Sequence, residues 1–327
     1  MDQKTLTDKI SGCLLGMAIG DAMGRPANGL SPYDVLRRYQ VIDGFYSPDP
    51  SDKKGEKAGK YGELTRLGLI LAGKLSAKGT DKDVILAAHQ EALPMLPASW
   101  VGPISAAQRD LQSDHGLSSL DPDLVPKMIP LGAWAARVPV MSDEDLLRAC
   151  KAVAWPTHSS RPAILMGWMV AKAIREVIRN GDALSDRADL YEGDKSLLAR
   201  MVGFCQRVEA GFKSHEVLDD RLSFRLEYVR MSLQAGKRTE ELVGTFGNSR
   251  DVLEVVGFSL FCALKQPDDF QAICVAASKG GRASVNASLV GAICGAYVGT
   301  ALFPKGMIEG VHNSARILAL AESMATR

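Results

Sequence analysis

The sequence is short of most features that would reveal a function at sight. Charge of one sign is missing, since 39 Lys and Arg stand against 38 Asp and Glu in 327 residues. No net field steers the chain toward nucleic acid or an acidic membrane surface, so neither is expected as a partner. Paired cysteines are missing too: the six, at positions 13, 150, 205, 262, 274 and 294, form no CxxC and lack zinc-ligand spacing. They read as buried free thiols of a reducing compartment. Long uncharged apolar runs are also missing. "RPAILMGWMVAKAI" and "ASLVGAICGAYVGTALF" are interrupted and fall short of the roughly 20 residues of a membrane span. The opening "MDQKTLTDKI" is polar and mixed in charge, unlike a signal peptide, so a cytoplasmic location is expected. Period-two alternation is nearly absent, which leaves no case for a sheet.

Apolar residues instead recur at three- and four-residue spacing, and 46% of the chain is hydrophobic, ample for a large core. The spacing predicts an all-α fold. Helices are expected over 5–20, 33–40, 63–77, 81–93, 103–113, 128–137, 142–155, 160–179, 194–210, 214–233, 238–245, 251–264, 267–278, 283–302 and 311–325. Ser142 before "DEDLLRAC", Thr80 before "DKDVILAA" and the Pro267-Asp268-Asp269 run offer caps. No Pro/Ser-rich linker divides the chain, so residues 1–327 are expected to form a single domain. The polar stretches 47–60 and 180–195 are its longest loops, and the first is long enough to be functional. Its "KKGEK" run at 53–57 reads as a solvated loop or a lid. Met23, Met128 and the four tryptophans fit the core.

Small residues cluster in "GCLLGMAIGDAMG" and in "GGRASVNASLVGAICGAYVGTAL". Gly and Ala at such spacing let two helix backbones approach closely, which predicts two tightly packed central helices. Packing leaves Asp21, Asn28, Arg282 and Ser284 unexplained. An aspartate at the end of an apolar helix is costly if buried without partners, so Asp21 either faces a cleft or holds a loop, most simply 24–31.

In order along the chain, "GCLLGMAIGDAMGRPANGLSP", "AGKYGELTRLGLILAGKL", "THSSRPA" and "LEVVGFSLFCALKQPDDFQAICVAASKGGRASVNASLVGAICGAYVG" resemble the ADP-ribosylglycohydrolase family over nearly the whole length. The resemblance implies an orthogonal multi-helix bundle with a cleft. There, active members use two magnesium ions to cut the glycosidic bond between ADP-ribose and an amino-acid side chain. Such ions want several carboxylate oxygens.

Most of those oxygens are absent from this sequence. The family's Thr-Asp-Asp-Thr falls on Gly62, Glu63, Leu64 and Thr65. The late Asp-x-Asp-Thr after two glycines falls on Arg282, Ala283, Ser284 and Val285. The acidic residue after the first block falls on Asn28, and Lys127 in "DLVPKMIPLG" stands near a family arginine. Glu63 and Asp21 are therefore the candidate catalytic carboxylates. Arg282, Ser284, Asn28, Thr65, Tyr61, Lys127 and His158 are the candidate ligand contacts, with no metal and no cofactor expected. The Glu63 and Arg282 side chains could pair across the former metal volume, or lie apart in solvent. His158 could serve as a general base or simply pack in the core. Three roles remain open: a metal-independent hydrolase of a ribosyl bond, a binder of an ADP-ribose-like small molecule, and a structural protein.

Overall fold

The computed structural model describes residues 1–47, 57–110, 116–181, 184, 186, 188–213 and 221–326. The described residues form an all-α bundle: α1 (Gln3–Gly24), α2 (Pro32–Tyr39), α3 (Glu63–Lys78), α4 (Lys82–Ala92), α5 (Ala98–Arg109), α6 (Val125–Arg137), α7 (Asp143–Ala154), α8 (Arg161–Asn180), α9 (Leu197–Glu209), α10 (Leu222–Gln234), α11 (Thr239–Phe246), α12 (Val252–Lys265), α13 (Gln271–Ser278), α14 (Ala283–Val298), α15 (Lys305–Gly310) and α16 (Ser314–Thr326). The only β-pairing among them is an isolated parallel bridge between Leu117 and His158. No helix among them is long and apolar enough to cross a membrane.

Local chemistry sets many of the boundaries. Asp2 caps α1 by accepting the Thr5 N–H. Ser142 and Asp145 form a reciprocal capping box at α7. Asp251 accepts the N–H groups of Leu253 and Glu254 at the start of α12. Asp81 rather than Thr80 occupies the N-cap of α4. Helix α14 stops at Val298, short of the expected 302, because Gly299 turns left-handed at φ 96°.

Helices α5 and α6 start well before the spacing suggests, for one shared reason. Pro103 and Pro130 lie inside α5 and α6, where a proline would be expected to open or break a helix. The expected helix ends at 111–113 and 214–220, and most of the "KKGEK" run, lie outside the described residues.

The bundle is organised on α1 and α14. From Lys9 to Gly24 every residue of α1 is buried, as is nearly all of α14, so both are enclosed on all sides and mostly apolar. They run antiparallel with Gly12, Gly16, Gly20 and Gly24 stacked on Gly295, Gly291, Ala287 and Ala283. A Cβ placed on any of these four glycines would fall inside the radius of a facing carbonyl oxygen. Main chain therefore touches main chain along the whole contact. Helix α6 packs on α8 and α3, and α16 packs on α1 and α3. All six cysteines are buried free thiols. The C-terminal end of α1 and the N-terminal end of α14 thus emerge side by side, which sets the position of the cavity between them.

Candidate functional site

A cavity of about 350 Å³ opens where α1 ends and where α3 and α14 begin. Asp21, Asn28, Glu63, Thr65, Arg282 and Ser284 line it together, with Asp123 and Ser288 completing its polar wall. Asp21 is buried and accepts the Gly62 N–H at 2.9 Å. It therefore does hold a loop, the one entering α3, while Arg25 of the 24–31 segment also faces it. Burial pushes its carboxyl up to about 6, against the pull of the Thr65 hydroxyl, the Gly62 N–H and Arg25.

Asn28 works across the gap. Its amide oxygen accepts the Ser284 N–H and its amide nitrogen donates to Ser284 Oγ, both at 2.9 Å. It thus caps α14 from another part of the chain. Gly29 N–H to Gly281 O and Gly281 N–H to Leu30 O fasten the same two loops. Gly280 and Gly281 both have φ above 60°, with the Leu30 carbonyl and Asn248 side chain where a Cβ would go.

Arg282 does not pair with Glu63. Its guanidinium meets the Asp123 carboxylate and lies 3.6 Å from Asp121. Burial raises the Asp121 carboxyl and Arg282 pulls it back down. Asp123 is the site residue that sequence reasoning missed; the alternating Ser119-x-Asp121-x-Asp123 ahead of α6 was its signal. Ser288, one turn beyond Ser284, was the other. The Arg282 Nε and Ser288 Oγ atoms are buried without a hydrogen-bond partner among the described residues. Such groups mark places where a ligand or water completes the site. Glu63 is exposed at the first turn of α3 and forms no ion pair among the described residues.

Lys127 and His158 do not line the cavity. They are buried behind its wall, at 0% and 1% exposure. The Lys127 amine contacts the Thr157 hydroxyl and sits 4.8 Å from the Trp100 ring centroid. Thr157 Oγ1 is 2.9 Å from His158 Nδ1, and the His158 ring bonds the Asp121 backbone. This relay supports the 121–123 turn that holds Arg282. Burial pulls His158 down to about 2 and the nearby His89 to about 3, so both rings are neutral at ordinary pH.

Burial likewise pulls the Lys127 amine down to about 7. Below pH 7 the amine is charged whether folded or not, and folding bears its full desolvation. Between pH 7 and about 10.4 only the unfolded chain keeps the proton, so stability rises with pH. Lys127→Met should therefore raise Tm at pH 6 by about 5 °C, from on the order of 3 kcal/mol. The gain should shrink by more than half at pH 9.5. Calorimetry at the two pH values checks this, and a lowered Tm at pH 6 would show that the amine's contacts outweigh its desolvation.

The ADP-ribosylglycohydrolase family profile matches residues 2–327. The chain belongs to the ADP-ribosylglycohydrolase family. Two further likenesses span this family member almost end to end. An uncharacterized protein from Archaeoglobus fulgidus is 25% identical over 328 residues, covering 98% of this chain and 96% of that one. A solved structure titled as an ADP-ribosylglycohydrolase-related protein complex superposes with a TM-score of 0.72 at 19% identity, covering 98% of each chain. It shares the all-α fold. In this family member, no three His, Cys, Asp or Glu side chains among the described residues gather as a metal-binding set. Asp21 is engaged by Gly62 and Thr65, Asp121 and Asp123 by Arg282, and Glu63 stands alone. That donor set does not fit a pair of magnesium ions.

Proposed function

We propose that the protein is a single-domain hydrolase of a ribosyl glycosidic bond that works without the family's magnesium pair. Its substrate is an ADP-ribosyl or nucleoside-like small molecule. The observation that carries this reading is that two carboxyl groups in unlike surroundings share the 350 Å³ chamber. Burial pushes the Asp21 carboxyl up to about 6, while Glu63 is exposed at the first turn of α3. Environments that differ in this way separate an acid from a base. Glu63 takes a proton from water as the water attacks the anomeric carbon, and Asp21 supplies one to the leaving group as the bond breaks. Asn28, Ser284, Ser288 and Thr65 ring the chamber with donors and acceptors suited to sugar hydroxyls.

A second reading, a ribosyl-binding protein with no turnover, is favoured by Arg282. By neutralising Asp121 and Asp123 it leaves Glu63 as the one carboxylate here without a cationic or hydrogen-bonding partner among the described residues. Two-carboxylate glycoside hydrolysis needs a second group able to move a proton.

Incubation with arginine- and serine-linked ADP-ribosyl peptides, nucleosides and free ADP-ribose separates the readings. Product formation supports the hydrolase, and a melting shift without product supports the binder. In either case 5 mM magnesium and 5 mM EDTA, about the concentrations that fill or strip such sites, should change Tm by less than about 1 °C. A midpoint that climbs with magnesium and returns on chelation would overturn the metal-free proposal.

A further inference from the structure

Beside the first chamber lies a larger one of about 840 Å³, and the two share Gly62, Glu63 and Met95. Its floor is apolar, built from Leu69, Ile70, Ile317 and Leu320, while its rim is mostly cationic. Arg66 comes from α3 and Arg316 from α16, and the fields of both reach the Tyr61 hydroxyl. That hydroxyl hydrogen-bonds the Asn313 side chain, and the Tyr61 ring lies 6.0 Å from the ring of His312. The His312 N–H donates to Gly59 O at 2.9 Å, fixing the loop that carries Tyr61 to the start of α16.

The charges on this rim do not cancel. Lys74 is matched by Glu91 at 3.2 Å, but neither Arg66 nor Arg316 has an ion-pair partner among the described residues. Two guanidinium groups lining one chamber with a phenol and an imidazole, over an apolar floor, suit a phosphate joined to a planar ring. The volume lies within the range of nucleotide-sized ligands.

We propose that the second chamber is a phosphate subsite, in which Arg66 and Arg316 grip the phosphate-bearing part of a ligand whose sugar occupies the first chamber. This rests on the ribosyl reading of that chamber. Glu63, on the boundary, then stands between the sugar and the anionic portion.

Titration calorimetry with ADP-ribose, ADP, pyrophosphate and adenosine tests the proposal on the wild type and on a variant carrying Arg66→Gln and Arg316→Gln. Both side chains are exposed, so the variant should fold, with Tm as the check. A second variant with Lys78→Gln and Arg37→Gln, outside both chambers, removes the same charge elsewhere. The double arginine change should weaken ADP-ribose and ADP at least tenfold while leaving adenosine within twofold, and the control should do neither. If ADP-ribose binds equally well to all three proteins, the subsite is overturned and the ribosyl reading stands. Arginine-dependent binding of ADP and pyrophosphate, with no gain from the added ribose, would sink the ribosyl reading and keep the subsite. Binding of none of the probes would reject both, and equal weakening by the control would also overturn the subsite.

Discussion

A single added methyl group at position 16 should be enough to unfold the protein or lower its Tm by about 6 °C or more. In Gly16→Ala the new Cβ would collide with the Gly291 carbonyl oxygen and carbon, which are main chain and cannot rotate away. Relief would require α1 and α14 to separate along their length, disturbing contacts at Gly12, Gly20 and Gly24 together. Overpacking of a core usually costs about 1–3 kcal/mol, and a backbone collision belongs at or beyond about 4 kcal/mol. For a chain of this size that is roughly 6 °C. Gly203→Ala in α9 is the matched comparison, because nothing lies within 4 Å of its Cβ position. There alanine should be neutral or stabilising by up to about 1 kcal/mol through helix propensity. Thermal unfolding of both variants is the measurement, and equal Tm values would refute the backbone contact.

Glu63→Gln should reduce turnover at least a hundredfold while ADP-ribose binding stays within about threefold. Glutamine keeps the shape and hydrogen-bonding reach of glutamate but cannot take up a proton, and removing a general acid or base typically costs about 10²–10⁴ in rate. Stability should change by no more than about 0.5 kcal/mol, because a substitution outside the core and away from charge pairs rarely does more. If Asp21 supplies the second proton, the wild-type rate should also fall as pH rises through about 6, where its acid form is lost. Unchanged single-turnover kinetics in Glu63→Gln would move the chemistry to another group.

The helices were legible in the sequence because a 3.6-residue period survives even in a chain with little amphipathic contrast. The α1–α14 contact was legible because only small residues recur every four positions in both segments. The cavity wall was legible only in part. Asp21, Asn28, Glu63 and Ser284 sit where helices begin or end, and those ends can be read from sequence. The Glu63–Arg282 pair, one of two arrangements the sequence left open, does not form, and the actual partners of Arg282, Asp121 and Asp123, lie in a short turn with no periodicity of its own. His158 follows the core alternative left open for it, whereas Lys127 was expected among the ligand contacts for a different reason. Lysine is so seldom fully buried that a sequence alone argues for the surface, whereas tertiary packing here has enclosed it beside Trp100 and Thr157.

The main-chain contact between α1 and α14 has one further consequence. Because no rotamer participates in it, the spacing of the two helix tips is independent of whatever residues those tips carry. Asp21, Asn28, Arg282 and Ser284 ride on this frame and tie it to the neighbouring loops through local caps and ion pairs. Such a frame confines the folding cost of exchanging a tip residue to its own cap or loop bond, about 1 kcal/mol for a lost cap, so new ligand preferences can be sampled on an unchanged skeleton.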